Sequence, residues 1–504
     1  MHMNRNTVAA MFVIACAVPS LRADHRGGTR TPIKHLVVLF DENRPFDHYF
    51  GTYPRALNLP GERPFHARPH TPRVNGFSAD LLLQNPNKYN PVRLSPSEVA
   101  QCSQTHDYTK EQRAVNLGAM DKFVENNFAT GTQGFASCPD QIVMSYFDGN
   151  TVTALWNYAQ RFAMSDNHFA SNWGSSAVGA INLISGQTHG ASVPDKSPDT
   201  IAGTVIGNPR PLLDVCSPAT TTLITMSGRT IGDLLNQKGL TWGWFNGGFR
   251  TVDGLPACTA SHIGSNGQPQ VDYVPHHAPF QYYPSTANQY HVAPSSVDAI
   301  GQTDQANHQY DLEIDFWAAA ESGNLPAVSF IKGAAYEEGH NRYSDPLAEQ
   351  RFLVTMINRL QQLPEWKSMA ILIVYDDSDG LYDHVQPPLA NASNTAADAL
   401  TGPGACGTSD PLVRYQGRCG YGPRLPLLLI SPYAKSNFVD HTLTDQSSII
   451  RFIQDNWRLP RIGDQSFDRR AGSIENMFDF SQKSKRHLFL DPETGQRLER
   501  DHVD

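Results

Sequence analysis

The stretch DPLAEQRFLVTMINRLQQLPEWKSMAILIVYDD, residues 345–377, decides the fold class. Its first part is helical by pattern: Leu353, Met356, Ile357 and Leu360 keep the i, i+3, i+4, i+7 spacing of one buried face. Asp345 can cap that helix, Pro346 suits its first turn and Pro364 stops it, so the expected helix runs from Asp345 to Leu363. MAILIVYD (369–376) follows at once and reads as a strand buried on both faces. Similar runs are IKHLVVLF (33–40), AVSFI (327–331) and PLLLISP (426–432), with Thr241–Phe245 a further candidate. All are expected as parallel strands. Strand–helix alternation of this kind implies an α/β fold with a mostly parallel central sheet and helices on both faces. Segments 52–100 and 185–300 are richer in Pro, Asn, Ser and Gly and read as insertions around the sheet, forming a cap. The charged tail after Ser481 reads as surface.

Length and composition bound what such a fold can do. At about 150 residues per domain, 504 residues allow about three domains or one large α/β unit. The net charge is −9, so a basic footprint for nucleic acid is not expected. With 40% apolar residues the chain is not disordered. Residues 1–23 have the form of a secretory signal: Arg5, an apolar run from Thr7 to Val18, then small residues up to Ala23. A lipoprotein signal ending at Cys16 is the alternative. No later segment reaches the roughly 18 apolar residues of a membrane span. The chain has seven cysteines. Losing Cys16 with the signal leaves an even set, which favours disulfides in an exported protein. Nearest-neighbour pairing, 102–138, 216–258 and 406–419, is the expectation among about 15 connectivities. None has zinc-site spacing.

In an open α/β sheet, ligands bind beyond the carboxyl ends of the strands. Phe40 is followed by Asp41, Glu42 and Asn43, and Tyr375 by Asp376 and Asp377. Two oxygen-rich clusters at two strand ends suit a divalent cation, although a single such cluster would be read as a helix cap or a solvated loop. In NHFASNWGSSAVGAINLISGQTHG (167–190), a helix can start at the serines and end at Gly186. A hydroxyl there faces free N–H groups and a positive dipole, which suits a phosphoryl oxygen, but a serine at a helix start is more often only a cap. Of 19 histidines, most are expected to be bland. His106, the pair His276-His277 and His340 stand in richer settings, as metal ligands, phosphate binders or proton donors.

Three segments then resemble a known family. IKHLVVLFDENRPFDHYFGTYP (33–54), PEWKSMAILIVYDDSDGLYDHVQPP (364–388) and GYGPRLPLLLISPYAKSNFVDHTLTDQSSIIRFIQDNW (420–457) resemble three signatures of the bacterial phosphoesterases. That family holds phosphatidylcholine-hydrolysing phospholipases C and AcpA-type acid phosphatases, and is similar in fold to alkaline phosphatases and sulfatases. The resemblance implies one phosphoesterase domain over 24–504. It implies that Glu42, Asn43, Asp376 and Asp377, with Ser176, hold one divalent metal ion of open identity. It places Ser176, ahead of Ser175, at the nucleophile position. His106, His276, His277 and His340 match histidines that line the phosphate pocket of the acid phosphatase branch. His106 and His340 are expected in catalysis, and His276 and His277 in substrate binding.

Two departures favour the phosphatase branch: Ser176 stands where phospholipases C commonly have Thr, and Asp377 where they have Glu. The expected reaction is phosphomonoester hydrolysis through a phosphoseryl intermediate, with histidines near their ordinary pKa charged in mild acid. The runner-up is a phospholipase C-type phosphodiesterase acting on phosphatidylcholine or sphingomyelin, which alone implies membrane contact. A sulfatase lacks support, because Ala177, Val178 and Gly179 after Ser176 do not form the formylglycine motif. A catalytically dead binding protein on the same scaffold would lack the metal. The expected location is the periplasm or the exterior.

Overall fold

The computed structural model describes residues 28–192, 197–400, 406, 414–481 and 486–498. The expected signal segment 1–23 lies outside the described residues. Strands β1 (His35–Asp41), β2 (Ala163–Ser165), β3 (Trp242–Asn246), β4 (Gln309–Asp311), β5 (Val328–Lys332), β6 (Met369–Tyr375), β7 (Leu427–Ile430) and β8 (Phe438–Asp440) form one central sheet. Their spatial order is β4-β3-β5-β1-β6-β7-β2-β8. Every ladder is parallel except the two made by β7, which runs antiparallel to β6 and to β2. The fold is therefore α/β with a mostly parallel sheet. One expectation is corrected: PLLLISP supplies an antiparallel strand. An apolar run buried on both faces shows its burial but not its direction, so composition could not tell.

Six helices are used below: α1 (Tyr108–Val115), α2 (Thr153–Arg161), α3 (Ser176–Ser185), α4 (Ile231–Lys238), α5 (Pro346–Gln362) and α6 (Ser447–Trp457). Of these, α2 packs against α5, and α3 against α4 and α6. Helix α5 forms where the pattern placed it. Asp345 Oδ1 accepts from Leu347 N at 2.8 Å and Ala348 N at 2.9 Å, and Pro346 takes the first turn. A cap of this kind contributes about 1 kcal/mol. Leu353, Met356, Ile357 and Leu360 are buried on one face.

The part of the chain read as a cap, 185–300, also threads β3 through the central sheet. Disulfides join Cys102–Cys138, Cys216–Cys258 and Cys406–Cys419, the nearest-neighbour pairing. No helix among the described residues is long and apolar enough to cross a membrane.

Candidate active site at the carboxyl edge of the sheet

The register of the sheet assembles the site. β1 and β6 pair in parallel from His35↔Met369 to Asp41↔Tyr375. One residue further, Glu42 and Asp376 leave adjacent strands side by side. β5 flanks β1 on its other side and ends in Lys332. Three neighbouring strands thus deliver charged groups to one edge, where parallel sheets place ligands.

Backbone geometry then fixes the carboxylates. Asn43 has φ 58, a left-handed conformation that Asn tolerates better than most residues. Its backbone N–H donates to Asp376 Oδ1 at 2.7 Å, and Asp377 N–H donates to the same oxygen at 2.7 Å. Asp379 N–H donates to Asp377 Oδ1 at 2.8 Å. Gly380, at φ +68, completes the turn, and a Cβ there would lie 2.1 Å from the Thr105 carbonyl oxygen. The turn can therefore touch the loop that carries His106 only with glycine at 380.

Several buried oxygens in this cluster receive no hydrogen bond: Asp376 Oδ2, Asn43 Oδ1 and Glu42 Oε2. Buried acceptors without donors are costly unless a cation completes them. Burial raises the pKa of both Glu42 and Asp376. Glu42 stays high because Asp376 repels its charge, whereas Asp376 is brought down by the neighbouring Glu42 carboxyl and the field of Lys332. The donor set is all oxygen on this side, which fits a hard divalent ion.

Ser176 opens α3 and is 2% exposed. Its Oγ donates to Asp377 Oδ2 at 3.0 Å. Ser175 Oγ turns elsewhere and donates to the His106 carbonyl at 3.1 Å. Gly179, one turn into α3, lets the helix rest on the end of β6: a Cβ there would lie 2.3 Å from the Asp376 carbonyl oxygen. The helix N-terminus, its dipole and the serine hydroxyl thus converge on the acidic strand end.

The four histidines surround this point in different states. His106 Nε2 lies 3.8 Å from Asp377 Oδ2, and its Nδ1 lies 2.8 Å from the Gln104 carbonyl and 3.4 Å from Asp379 Oδ1. Burial alone would lower its pKa, but Asp377 and Asp379 outweigh burial and hold it well above the usual imidazole value. His340 stacks on Tyr343 at 4.1 Å between centroids, and burial brings it down to about 4 against the pull of Asp379. His276 and His277 have ring centroids 4.2 Å apart. Burial, Arg210 and His277 depress His276; burial also lowers His277, with Glu338 pulling the other way. The expectation of histidines near their ordinary pKa is therefore corrected, since desolvation holds three down and two carboxylates hold one up.

Every residue singled out from sequence lies in this one cluster. Sequence reasoning missed Lys332, Glu338, Asp379, Asn341 and Arg44. Lys332 Nζ lies 2.6 Å from Glu42 Oε1 and 2.5 Å from Glu338 Oε2. Asp379 accepts from Asn43 Nδ2 at 3.1 Å and from Asn341 Nδ2 at 2.6 Å, and Arg44 donates to Asn341 Oδ1 at 2.8 Å. Lys332 and Glu338 follow a recognised strand, so the strand-end rule could have found them.

A second buried acid–histidine cluster lies close by in sequence. Asp47 Oδ1 meets Arg424 Nη2 at 2.9 Å, and Asp47 Oδ2 meets His384 Nδ1 at 2.5 Å. Asp383 Oδ2 accepts from Asp47 N–H at 3.0 Å and from Arg424 Nε at 3.1 Å.

A family model described as the Phosphoesterase family matches residues 33–460. A non-hemolytic phospholipase C of Pseudomonas aeruginosa is 24% identical, over 96% of this chain and 62% of its own length. A non-hemolytic phospholipase C of Burkholderia pseudomallei is 26% identical, over 93% and 61%. Phospholipase C B of Mycobacterium tuberculosis is 22% identical, over 90% and 79%. The chain thus spans about three fifths of the first two relatives. A solved alkaline phosphatase superfamily protein of Vibrio parahaemolyticus is similar over 77% of this chain and 74% of its own at 10% identity, with a TM-score of 0.29.

Proposed function

The chain belongs to the phosphoesterase family, and on that premise we propose that it is an exported, metal-dependent phosphomonoesterase with Ser176 as nucleophile. The observation that carries this reading is Ser176 Oγ, 3.0 Å from Asp377 at a helix N-terminus, beside buried oxygens that lack donors. Glu42, Asn43, Asp376, Asp377 and Ser176 would hold one divalent ion. Such an ion supplies Lewis acidity, lowering the cost of an alkoxide and neutralising charge on phosphoryl oxygens. Ser176 Oγ attacks phosphorus, the Oγ–P bond forms, and the bond to the leaving alcohol oxygen breaks. The α3 N-terminus and His276-His277 orient the phosphoryl oxygens. His106, whose pKa Asp377 and Asp379 raise against burial, is placed to give a proton to the leaving oxygen, while His340 binds the phosphoryl group. Water then releases phosphate from Ser176. The buried Lys332, with the half-buried Arg210 and His106, favours a monoester dianion.

The second reading is a phospholipase C-type phosphodiesterase. The phospholipase C names of the relatives favour it, as do the exposed side chains of Val252, Leu255, Ile263 and Val271 shortly before His276-His277. The three disulfides favour export under either reading. One comparative assay separates the two readings. Purified protein is given p-nitrophenyl phosphate, a phosphocholine diester and phosphatidylcholine across roughly pH 5–8, with and without chelator. The monoester should turn over fastest and chelator should stop it; faster turnover of a diester would reverse the choice.

A further inference from the structure

A lysine stands where cation ligands converge. The ligand atoms of Glu42, His277 and Glu338 all lie within 4.8 Å of one another, and all three residues are buried. His277 Nδ1 is 3.2 Å from Glu42 Oε1 and 3.3 Å from Glu338 Oε1. Two carboxylates and an imidazole form a donor set for a divalent ion. Both His277 nitrogens and Glu338 Oε1 receive no regular hydrogen bond. Yet the position already contains a charge. The Lys332 ammonium, itself wholly buried, contacts both Glu42 and Glu338. A buried ammonium is tolerated only when anions surround it. Glu42 therefore faces two ways, towards Asp376 and Asn43 on one side and towards Lys332 on the other.

We propose that the Lys332 ammonium is a built-in second cation, filling the Glu42–His277–Glu338 position and limiting the chain to one divalent ion. The inference rests on the metal reading of Glu42, Asn43, Asp376 and Asp377 given above. Glu338 then acts as a positioning residue that holds the lysine and does not ligate the ion.

Metal stoichiometry tests it. The full chain and its variants are equilibrated with Mn2+ alone and dialysed. Bound manganese is counted by plasma mass spectrometry, and the melting temperature is read with and without Mn2+. The wild-type chain and Lys332→Arg should each hold one ion. Lys332→Ala should hold two, and Mn2+ should raise its melting temperature more than that of the wild type. One ion in Lys332→Ala, with one in the wild type, would overturn the role of the lysine and leave the metal reading standing. No ion in the wild type would overturn both. Should Lys332→Ala fail to fold even in Mn2+, Glu338→Gln decides. Mn2+ affinity within about threefold of wild type supports the proposal, and a loss of about tenfold or more shows Glu338 to be a ligand and overturns it.

Discussion

Two buried acid–histidine clusters are built from the same two stretches of chain, residues 40–50 and 375–385, yet they are chemically unlike. In one, Glu42, Asn43 and Asp376 present buried oxygens that no donor reaches. In the other, Asp47, Asp383 and His384 are saturated. Arg424 reaches both carboxylates and also donates to the carbonyls of Asn75 and Asp166, while the backbone N–H groups of Asp47, His384 and Val385 fill the remaining acceptors. Each cluster includes acids and a histidine whose ligand atoms lie within 4.8 Å of one another: Glu42 with His277 and Glu338, and Asp47 with Asp383 and His384. Composition and burial therefore do not distinguish the two clusters; the count of unfilled lone pairs does.

The contrast can be broken by experiment. The largest expected effect is on Ser176→Ala, which should lower turnover by about 1,000-fold or more while leaving the fold and most metal binding intact; near-normal turnover in a steady-state assay would remove the nucleophile assignment. Next, Arg424→Met should cost about 3–5 kcal/mol in a denaturation series, because it strands Asp47 and Asp383 as unpaired buried charges. Manganese content per folded chain should not change in that variant; a drop would show that the saturated cluster also serves metal binding. Asp376→Asn should do the converse, weakening Mn2+ affinity by about 100-fold in a calorimetric titration with little loss of stability.

The smallest effect is expected from His384→Gln. Burial lowers the pKa of His384, but Asp47 and Asp383 outweigh burial and hold it above the ordinary imidazole value. A raised folded-state pKa adds stability that is complete below about pH 6.5 and fades as pH climbs through the folded value. Wild type should therefore exceed His384→Gln by about 1 kcal/mol in mild acid, with the gap closing in alkali. A gap independent of pH would mean that His384 acts through packing alone.

Strand ends were the legible part of this site because two independent patterns coincide there. A continuous apolar run marks a strand, and the first acids after it mark the edge, so Glu42, Asn43, Asp376 and Asp377 could be named from sequence. Ser176 and the histidines needed the family resemblance, since a serine at a helix start or a loop histidine is ordinary alone. What stayed hidden depends on pairing. The reversed direction of β7, the short strands β2, β4 and β8, and the meeting of Lys332 with Glu42 arise from contacts between distant segments, which local periodicity does not encode. The histidine charge states were hidden for the same reason, because burial and neighbouring carboxylates set them.

The glycine at 179 sets how freely this sequence can drift. Any amino-acid substitution there adds at least a methyl group, and that carbon meets the carbonyl oxygen of Asp376 at 2.3 Å. Because that oxygen belongs to backbone, it cannot rotate aside as a side chain would, so α3 and the end of β6 must part. In a library of single substitutions, position 179 should thus be as intolerant as position 176, although it contributes no reacting atom. The gap between one helix and one strand end is in this sense an inherited dimension of the fold, guarded by the smallest residue in the chain.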